Sequence, residues 1–486
     1  MPVYTNDARK FKFNVLIEVC EQCFKGDLKE EEVYALAKDL VSLGGQRYRC
    51  CVYKEREILR QRARLSMGLM ASETAPFNPH QIVQVIEAAC DGCTIKKIRV
   101  TDNCRKCMTK SCLGACNFGA LSIGTNQAQI DYDKCRECGL CAKACPYNAI
   151  VVTERPCYSH CPVGAISWDE SDIAVIDEEK CINCGQCEMA CPFGAIEELS
   201  WVVDVISDLR SDRKVAAIVA PSIQGQFGAA PLGKIFTGIK KLGFDEVYEV
   251  ATGADAIAYY EAKELEEHIK LGRPMTTSCC TAFVNMLRQH FPQQYIENKS
   301  TLVTPMMALA RKLKSEDPKR RVVFIGPCVS KKQEAMEEGS AVDYVLTYEE
   351  LFCMFEAKRI ELRNMEESAT DTPSNYGRNF AAVGGVSAAV VQAIKEMNET
   401  AVTSVIANGG KECRAQLELI RKGKFTANIL EGMCCEGGCI GGPAVIDKSA
   451  LVKGRMMKEN MKNKDRKVLE AVRDNSFENI GLEVTK

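Results

Sequence analysis

The sequence predicts an α/β domain over residues 201–447, preceded by small cysteine-dense α+β units over 86–200 and an N-terminal helical segment over 1–85. Three observations predict it. Apolar runs such as VAAIVAP, RVVFIGP and TSVIANGG alternate with helical stretches in 201–447, as strands and crossovers do in α/β architecture. Sixteen of the 28 cysteines crowd into 86–200, with short strand-like pieces between them. KEEEVYALAKDLVSL and KEREILRQRARLSMGLM carry apolar residues at helical spacing with charges between. In the latter stretch, the basic run Arg56 to Arg64 reads as a solvated helix face rather than a docking patch for an acidic carrier. Residues 448–486 are charged and read as a helical tail.

The 63 basic and 65 acidic residues leave a net charge of −2, which argues against nucleic acid or an anionic membrane as the main partner. No run approaches the roughly 20 apolar residues of a membrane span. The N-terminal MPVYTNDARKFKFNVL shows no cleavage signature, so a cytoplasmic protein is expected. In a reducing compartment, cysteines at short spacing mean metal rather than disulfides. With only four histidines, mixed Cys/His zinc sites are disfavoured, which leaves sulfur-only zinc ribbons or iron–sulfur clusters.

CNFGAL, CPYNAI, CPVGAI and CPFGAI begin at Cys116, Cys145, Cys161 and Cys191, an internal repeat with separations of 29 and 30 residues within the two pairs. C-x2-C-x2-C-x3-C-P occurs twice in full, as Cys135, Cys138, Cys141, Cys145 and as Cys181, Cys184, Cys187, Cys191. This is the run of bacterial ferredoxins: three thiolates of one loop hold a 4Fe–4S cubane and the fourth ligates a neighbouring one. The repeat reads as two ferredoxin-like units, the second with a degenerate first half. Cys104, Cys107, Cys112 and Cys116 form a third set with one longer gap. By the crossing rule, Cys104, Cys107, Cys112 and Cys145 share one cluster, and Cys135, Cys138, Cys141 and Cys116 share its partner. Cys181, Cys184 and Cys187 then take Cys161. Cys191, Cys157, Cys90 and Cys93 remain, the right number for a fourth accessory cubane beyond the three expected; the alternative makes Cys90 and Cys93 buried apolar thiols. Cys20, Cys23, Cys50 and Cys51 read as buried or incidental thiols ahead of a metal site, because adjacent cysteines serve one cluster poorly.

A different cysteine pattern follows. Cys279 and Cys280 sit in TTSCCTAF, Cys328 in GPCVSKKQEA, and Cys434, Cys435 and Cys439 in EGMCCEGGCIGG. Each loop is rich in Gly, Pro or Ser, as suits backbone approaching a compact ligand. A cluster assembled from such remote loops belongs buried between two lobes of the α/β domain. Together TSCC, PCxxKxxE and ExMxCxGGC resemble the active-site signatures of FeFe-hydrogenases. The resemblance implies an H-cluster, in which a 4Fe–4S cubane is joined through one cysteine to a di-iron subcluster carrying CO, cyanide and azadithiolate. By position, Cys280, Cys328, Cys435 and Cys439 would hold the cubane, and Cys439 would bridge to the di-iron unit. Cys279 would be the proton-relay thiol and Lys331 would hydrogen-bond a cyanide. Met433 would pack near the bridging carbonyl, Pro221 and Ser222 would cradle the other cyanide, and Phe380 would line the pocket. The activity implied is reversible conversion of H2 to protons and electrons, with a ferredoxin or similar low-potential carrier as partner and maturation proteins supplying the di-iron unit.

YYEAKEL resembles the segment that provides two relay carboxylates, here Glu261 and Glu264, whose spacing of three puts both on one helix face. Ser300 would link them and His268 would be the surface exit; the bland alternative is an amphipathic helix with solvated charges. The chain departs from the family pattern in four places. Thr281 stands for proline, Phe283 for tryptophan and Gly326 for the methionine before PC, and Cys434-Cys435-Glu436 precedes an altered IGGPA tail. Gly326 is expected to open space and admit solvent, and Cys434 to be either an extra buried thiol or a second sulfur near the di-iron unit. Two other readings share the cysteines: a hydrogen sensor, and a cluster-assembly protein without di-iron chemistry. Lys331, Met433 and Cys279 argue against the cluster-assembly reading, since they have no task without diatomic ligands and a proton substrate.

Overall fold

The computed structural model describes residues 6–484 except 27, 42–48, 50, 75, 77, 79, 91–92, 94–95, 399, 449, 462–464 and 478, so Cys50 lies outside the described residues. Seven parallel strands organise the C-terminal half: β1 (Val215–Val219), β2 (Glu246–Glu249), β3 (Met275–Thr276), β4 (Arg321–Gly326), β5 (Tyr344–Thr347), β6 (Ser404–Asn408) and β7 (Ile429–Met433). They form two sheets, ordered β2-β1-β4-β5 and β3-β7-β6. Strands β1 and β7 are buried along their whole length, as in sheets covered on both faces by crossover helices. Ligands gather beyond the carboxyl ends of parallel strands. Here those ends lead into Pro221–Ser222 after β1, Cys279–Cys280 after β3, Cys328 after β4 and Cys434–Cys435 after β7.

The cysteine-dense region is two nested units rather than two in succession. Ile98–Val100 pairs with Ile150–Val152, and Leu121–Ile123 with Ala128–Ile130, closing one unit. Val83–Val85 pairs with Ile196–Glu198, and Ile166–Trp168 with Ala174–Ile176, closing a second unit that wraps the first in sequence. The second unit's first half is therefore not degenerate. It is split, with Cys90 and Cys93 before the inserted unit and Cys157 and Cys161 after it. Corresponding backbone bonds mark the kinship: Asp131 N donates to Ala120 O at 2.8 Å, and Asp177 N to Ala165 O at 2.8 Å.

Helices Asp7–Lys25, Val33–Leu40 and Val52–Ser66 form the N-terminal segment. Asn6 caps the first by accepting from Arg9 N at 2.8 Å. Phe13, Leu16 and Val19 join the core of the first parallel sheet, with the Phe13 ring 5.5 Å from Phe352. The expectation of a solvated basic face on Val52–Ser66 is overturned. Arg62 is 3 % exposed and pairs with Glu197 at 3.1 Å, Arg64 is 6 % exposed and pairs with Glu30, and Arg56 donates to Val41 O at 2.9 Å. Arg62 faces inward because the segment packs on the cysteine-dense region, whose Glu197 needs a partner when desolvated, while Arg64 and Arg56 turn onto groups of the segment itself. Lys12 does the same work on the first helix, sitting 2.7–2.9 Å from Glu188, Glu198 and Glu349. At the other end, Val468 and Val472 of Val468–Asp474 enter the core of the second sheet, and Val303 N donates to Leu482 O at 2.8 Å.

Candidate metal centres and proton relay

Cys104, Cys107, Cys112 and Cys145 line one small cavity, and Cys116, Cys135, Cys138 and Cys141 line another. Cys90, Cys93, Cys157 and Cys191 line a third, so the four leftover cysteines do converge. Burial, and then repulsion from neighbouring sulfurs that include Cys161, pushes the thiols of Cys181, Cys184 and Cys187 up, so these four cysteines lie together as a fourth set. Each thiol loop is shaped for backbone amides to face sulfur. Lys106, Glu137 and Asn183, each between the first two cysteines of its run, take φ of 47°, 52° and 51°. Amides reach the sulfurs at Glu137 N to Cys135 Sγ, 3.4 Å, Ala149 N to Cys145 Sγ, 3.3 Å, and Ala195 N to Cys191 Sγ, 3.3 Å. Such N–H to sulfur bonds are a known means of setting cluster potential. Cys20 and Cys23 sit elsewhere, buried in the core beside Cys353, while Cys51 begins the helix Val52–Ser66.

The second group of thiols is built from loop contacts. Cys280 starts the helix Thr281–His290, and Cys439 opens the 3-10 turn Cys439–Gly441. The Cys439 and Cys328 loops touch through Ala444 N to Pro327 O at 3.2 Å, and a Cβ on Gly442 would lie 2.7 Å from Pro327 O. Gly438 has φ +87°, and a Cβ there would meet Val383 N at 2.6 Å, so only glycine lets this turn approach. Burial pushes the Cys328 thiol up to about 11 and the Cys439 thiol up to about 12, with repulsion from Cys280 adding to both and repulsion from Cys328 adding to Cys439. Cys435 is raised likewise, by burial and then by Cys328, Cys280 and Cys439. Cys280, Cys328, Cys435 and Cys439 thus form a sulfur-only donor set that could hold a cationic centre. Cys280 alone is lowered, to about 6, first by a hydrogen bond from Cys434. Cys434 is 2 % exposed and also bonded to Cys413, so it behaves as an extra buried thiol beside a ligand candidate.

Cys279 is flanked by Cys280, Glu261, Glu431 and Cys439, and burial pushes its thiol well above the ordinary range. Phe380 and Met433 pack in the apolar cluster that includes Cys279 and Cys280. Ser222, fully buried after β1, hydrogen-bonds the Tyr348 hydroxyl at 2.7 Å, with half-buried Pro221 before it. Lys331 is buried and its Nζ donates to Glu334 Oε2 at 2.6 Å. Thr281 donates to the same Glu334 oxygen and Thr304 to the other. The expectation that Gly326 opens space is corrected: a Cβ there would lie 2.4 Å from the Phe324 ring, which already fills the place of the missing side chain. Phe283 packs so closely on Gly432 that a Cβ there would lie 2.5 Å from the ring.

Glu261 and Glu264 lie on the helix Ala251–Lys270. Glu261 Oε1 accepts from Ser278 N at 3.1 Å and Ser278 Oγ at 3.0 Å. Glu264 accepts from Ser300 Oγ at 2.8 Å and Thr301 N at 2.7 Å. Ser300 also lies beside Glu261 and, with Ser278, partly offsets the burial that raises Glu261 to about 7. Among the described residues, no hydrogen bond joins His268 to Glu264, and the buried His268 Nδ1 has no partner. Sequence reasoning passed over Glu334, Tyr348, Glu431 and Lys299. Glu334 alone carried a signal, as the last residue of PCxxKxxE.

The family model for the iron only hydrogenase large subunit, C-terminal domain, matches residues 213–443, and the 4Fe-4S binding domain matches 128–151 and 174–197. The chain is 30% identical over 372 residues to iron hydrogenase 1 of Clostridium pasteurianum, covering 64% of each chain. It is 28% identical over 304 residues to the periplasmic Fe hydrogenase large subunit of Nitratidesulfovibrio vulgaris, covering 51% of this chain and 72% of that one. A solved FeFe-hydrogenase variant from Chlamydomonas reinhardtii aligns over 59% of this chain and 96% of that one, at 19% identity and a TM-score of 0.49. The chain thus spans somewhat under two thirds of the first relative's length. No helix of the described residues is long and apolar enough to cross a membrane.

Proposed function

The chain belongs to the FeFe-hydrogenase family, and from that premise we propose that it interconverts H2 with protons and electrons where Cys280, Cys328, Cys435 and Cys439 converge. The observation that carries this reading is the company those thiols keep: a relay thiol, Cys279, and a buried cation, Lys331, beside the same sulfurs. The donor set fits a cubane, being four sulfurs with no histidine among them and glycines where the loops close. The buried Lys331 ammonium fits iron-bound cyanide, since a cation beside an anion gains most where water is excluded. Ser222 and Pro221 fit the second cyanide, and Met433 and Phe380 supply an apolar wall. The two parallel sheets are the two lobes of this reading, with the site between their carboxyl ends.

When bound, the H-cluster supplies a Lewis-acidic iron with an open position and an amine base beside it. The protein's part is proton and electron traffic. Cys279, kept as a neutral thiol by burial, exchanges its proton at Sγ with the site on one side and the Glu261 carboxyl on the other. Glu261 near 7 is suited to both taking and giving a proton at neutral pH, and Ser300 passes it to Glu264. Electrons would leave through the Cys161/Cys181/Cys184/Cys187 set, whose Cys184 neighbours Cys435 and whose Gln186 Nε2 lies 3.9 Å from Cys435 Sγ. The three outer thiol sets then lead to a ferredoxin-like carrier, and maturation proteins deliver the di-iron unit. Hydrogen-dependent reduction of methyl viologen by anaerobically matured protein tests the proposal. Turnover that disappears in Cys328→Ser is expected, and a fully loaded protein that leaves the dye oxidised would defeat the proposal.

A further inference from the structure

A cavity of about 720 Å3 lies beside the relay, walled by Thr281–His290, Pro305–Glu316 and the turn after Ser330–Ala335. Its lining is polar at both ends. Ser278, Thr281 and Glu334 form the inner end, while Arg288, Glu337 and Glu338 stand toward the surface. A space of this size with many polar partners holds water. The inner end matters because Ser278 lines the cavity and its Oγ donates to Glu261 Oε1 at 3.0 Å. Glu261 therefore stands one hydroxyl from this water, while on its other side Ser300 leads to Glu264.

We propose that the cavity is a second solvent terminus of the proton route, reached from Glu261 through the Ser278 hydroxyl and working in parallel with the Ser300–Glu264 branch. The inference rests on the hydrogenase reading above. In the outward direction the Glu261 carboxyl gives its proton to Ser278 Oγ, and the proton already on that oxygen passes to a cavity water. Glu261 is left as carboxylate, Ser278 unchanged and the water as hydronium; the inward step is the reverse. The titratable and charged groups facing this junction are Glu264 and Cys279 on the Glu261 side and Lys299 and Glu334 on the cavity side. Lys299 is 9 % exposed, donates to the Ser300 carbonyl, and feels Glu264, Glu261, Glu334 and Glu337. It thus ties the two branches together at their common end. Neither branch depends on His268, which the hydrogen bonds leave unconnected.

Two outlets in parallel make a specific pattern of losses. Glu264→Gln and Ser278→Ala should each keep at least about a tenth of wild-type hydrogen turnover, and the double variant should fall at least about a hundredfold below either, the scale on which positioned proton transfer acts. Ser278→Thr in the Glu264→Gln background keeps the hydroxyl and should restore the single-variant rate. Val284→Trp, which fills the cavity away from the relay, should slow Glu264→Gln and leave the wild type as it is. Infrared CO and CN bands unchanged across the set would show that the cluster site is intact, a readout independent of turnover. An active wild type whose Glu264→Gln variant is inert, or a double variant no slower than Glu264→Gln, overturns the branch alone. A loaded wild type without hydrogen turnover overturns the hydrogenase reading and the branch with it.

Discussion

Cys279 and Glu261 show how one buried environment tunes two groups in the same direction for complementary ends. Desolvation keeps the thiol protonated at neutral pH and brings the carboxyl to about 7, so of the two it is the carboxyl that changes charge there. Cys279→Ala should lower turnover by about a hundredfold to ten-thousandfold while leaving CO and CN bands in place; a variant with full dye reduction would remove Cys279 from the route. Glu261 also carries a stability signature. Its folded value of about 7 exceeds the ordinary 4.5, so the stability it contributes is complete below pH 4.5 and is lost as pH rises through 7. Glu261→Gln should therefore gain on the wild type between pH 5 and 8, by up to about 3 kcal/mol, in anaerobic urea unfolding; equal stability at both pH values would show that the carboxyl is not desolvated. The cysteines at this scale were legible because ligand spacing is local. Glu334 as a hub for Lys331, Thr281 and Thr304 was not, since its partners come from three elements. Gly326 misled for a related reason: only the folded chain shows the Phe324 ring turned into the gap.

The cysteine-dense elements carry a lesson about insertion. The repeat of C-P segments disclosed two units, yet the outer unit reads in sequence as truncated, because its opening C-x2-C, Cys90 and Cys93, is separated from Cys157 by the whole inner unit. Strand pairing across that insertion, not sequence proximity, reunites them. If the Cys90, Cys93, Cys157 and Cys191 set binds a cubane, Cys157→Ser should lose about four irons per chain, measured by anaerobic iron assay, with the remaining clusters still visible by electron paramagnetic resonance; an unchanged iron count would return Cys90 and Cys93 to the role of packing thiols. The N-terminal helices were legible from their periodicity, but the direction of their basic face was not, because it depends on Glu197 some 135 residues away. Removing Arg62 as Ala would strand that buried carboxylate, costing about 3–5 kcal/mol, visible as a lowered urea midpoint. A midpoint unchanged from the wild type would restore the solvated reading.

Across the molecule, two parallel sheets aim their carboxyl ends at one region, and Pro221–Ser222 and the loops carrying Cys280, Cys328 and Cys435 each follow a strand end. That is why motifs dispersed from Pro221 to Cys439 were legible as one site: α/β crossovers return every strand to the same edge. The thiol sets continue from Cys435 through Cys184 to the nested units, while Glu261 and Glu264 lie on the separate helix Ala251–Lys270. The central claim is that this convergence holds a di-iron centre with diatomic ligands, and infrared spectroscopy of the anaerobically matured protein tests it most directly. The account predicts CO and CN stretching bands, with the CN bands displaced in Lys331→Met. Protein with its cubanes loaded and its maturation complete, yet silent in the CO and CN region, would contradict it.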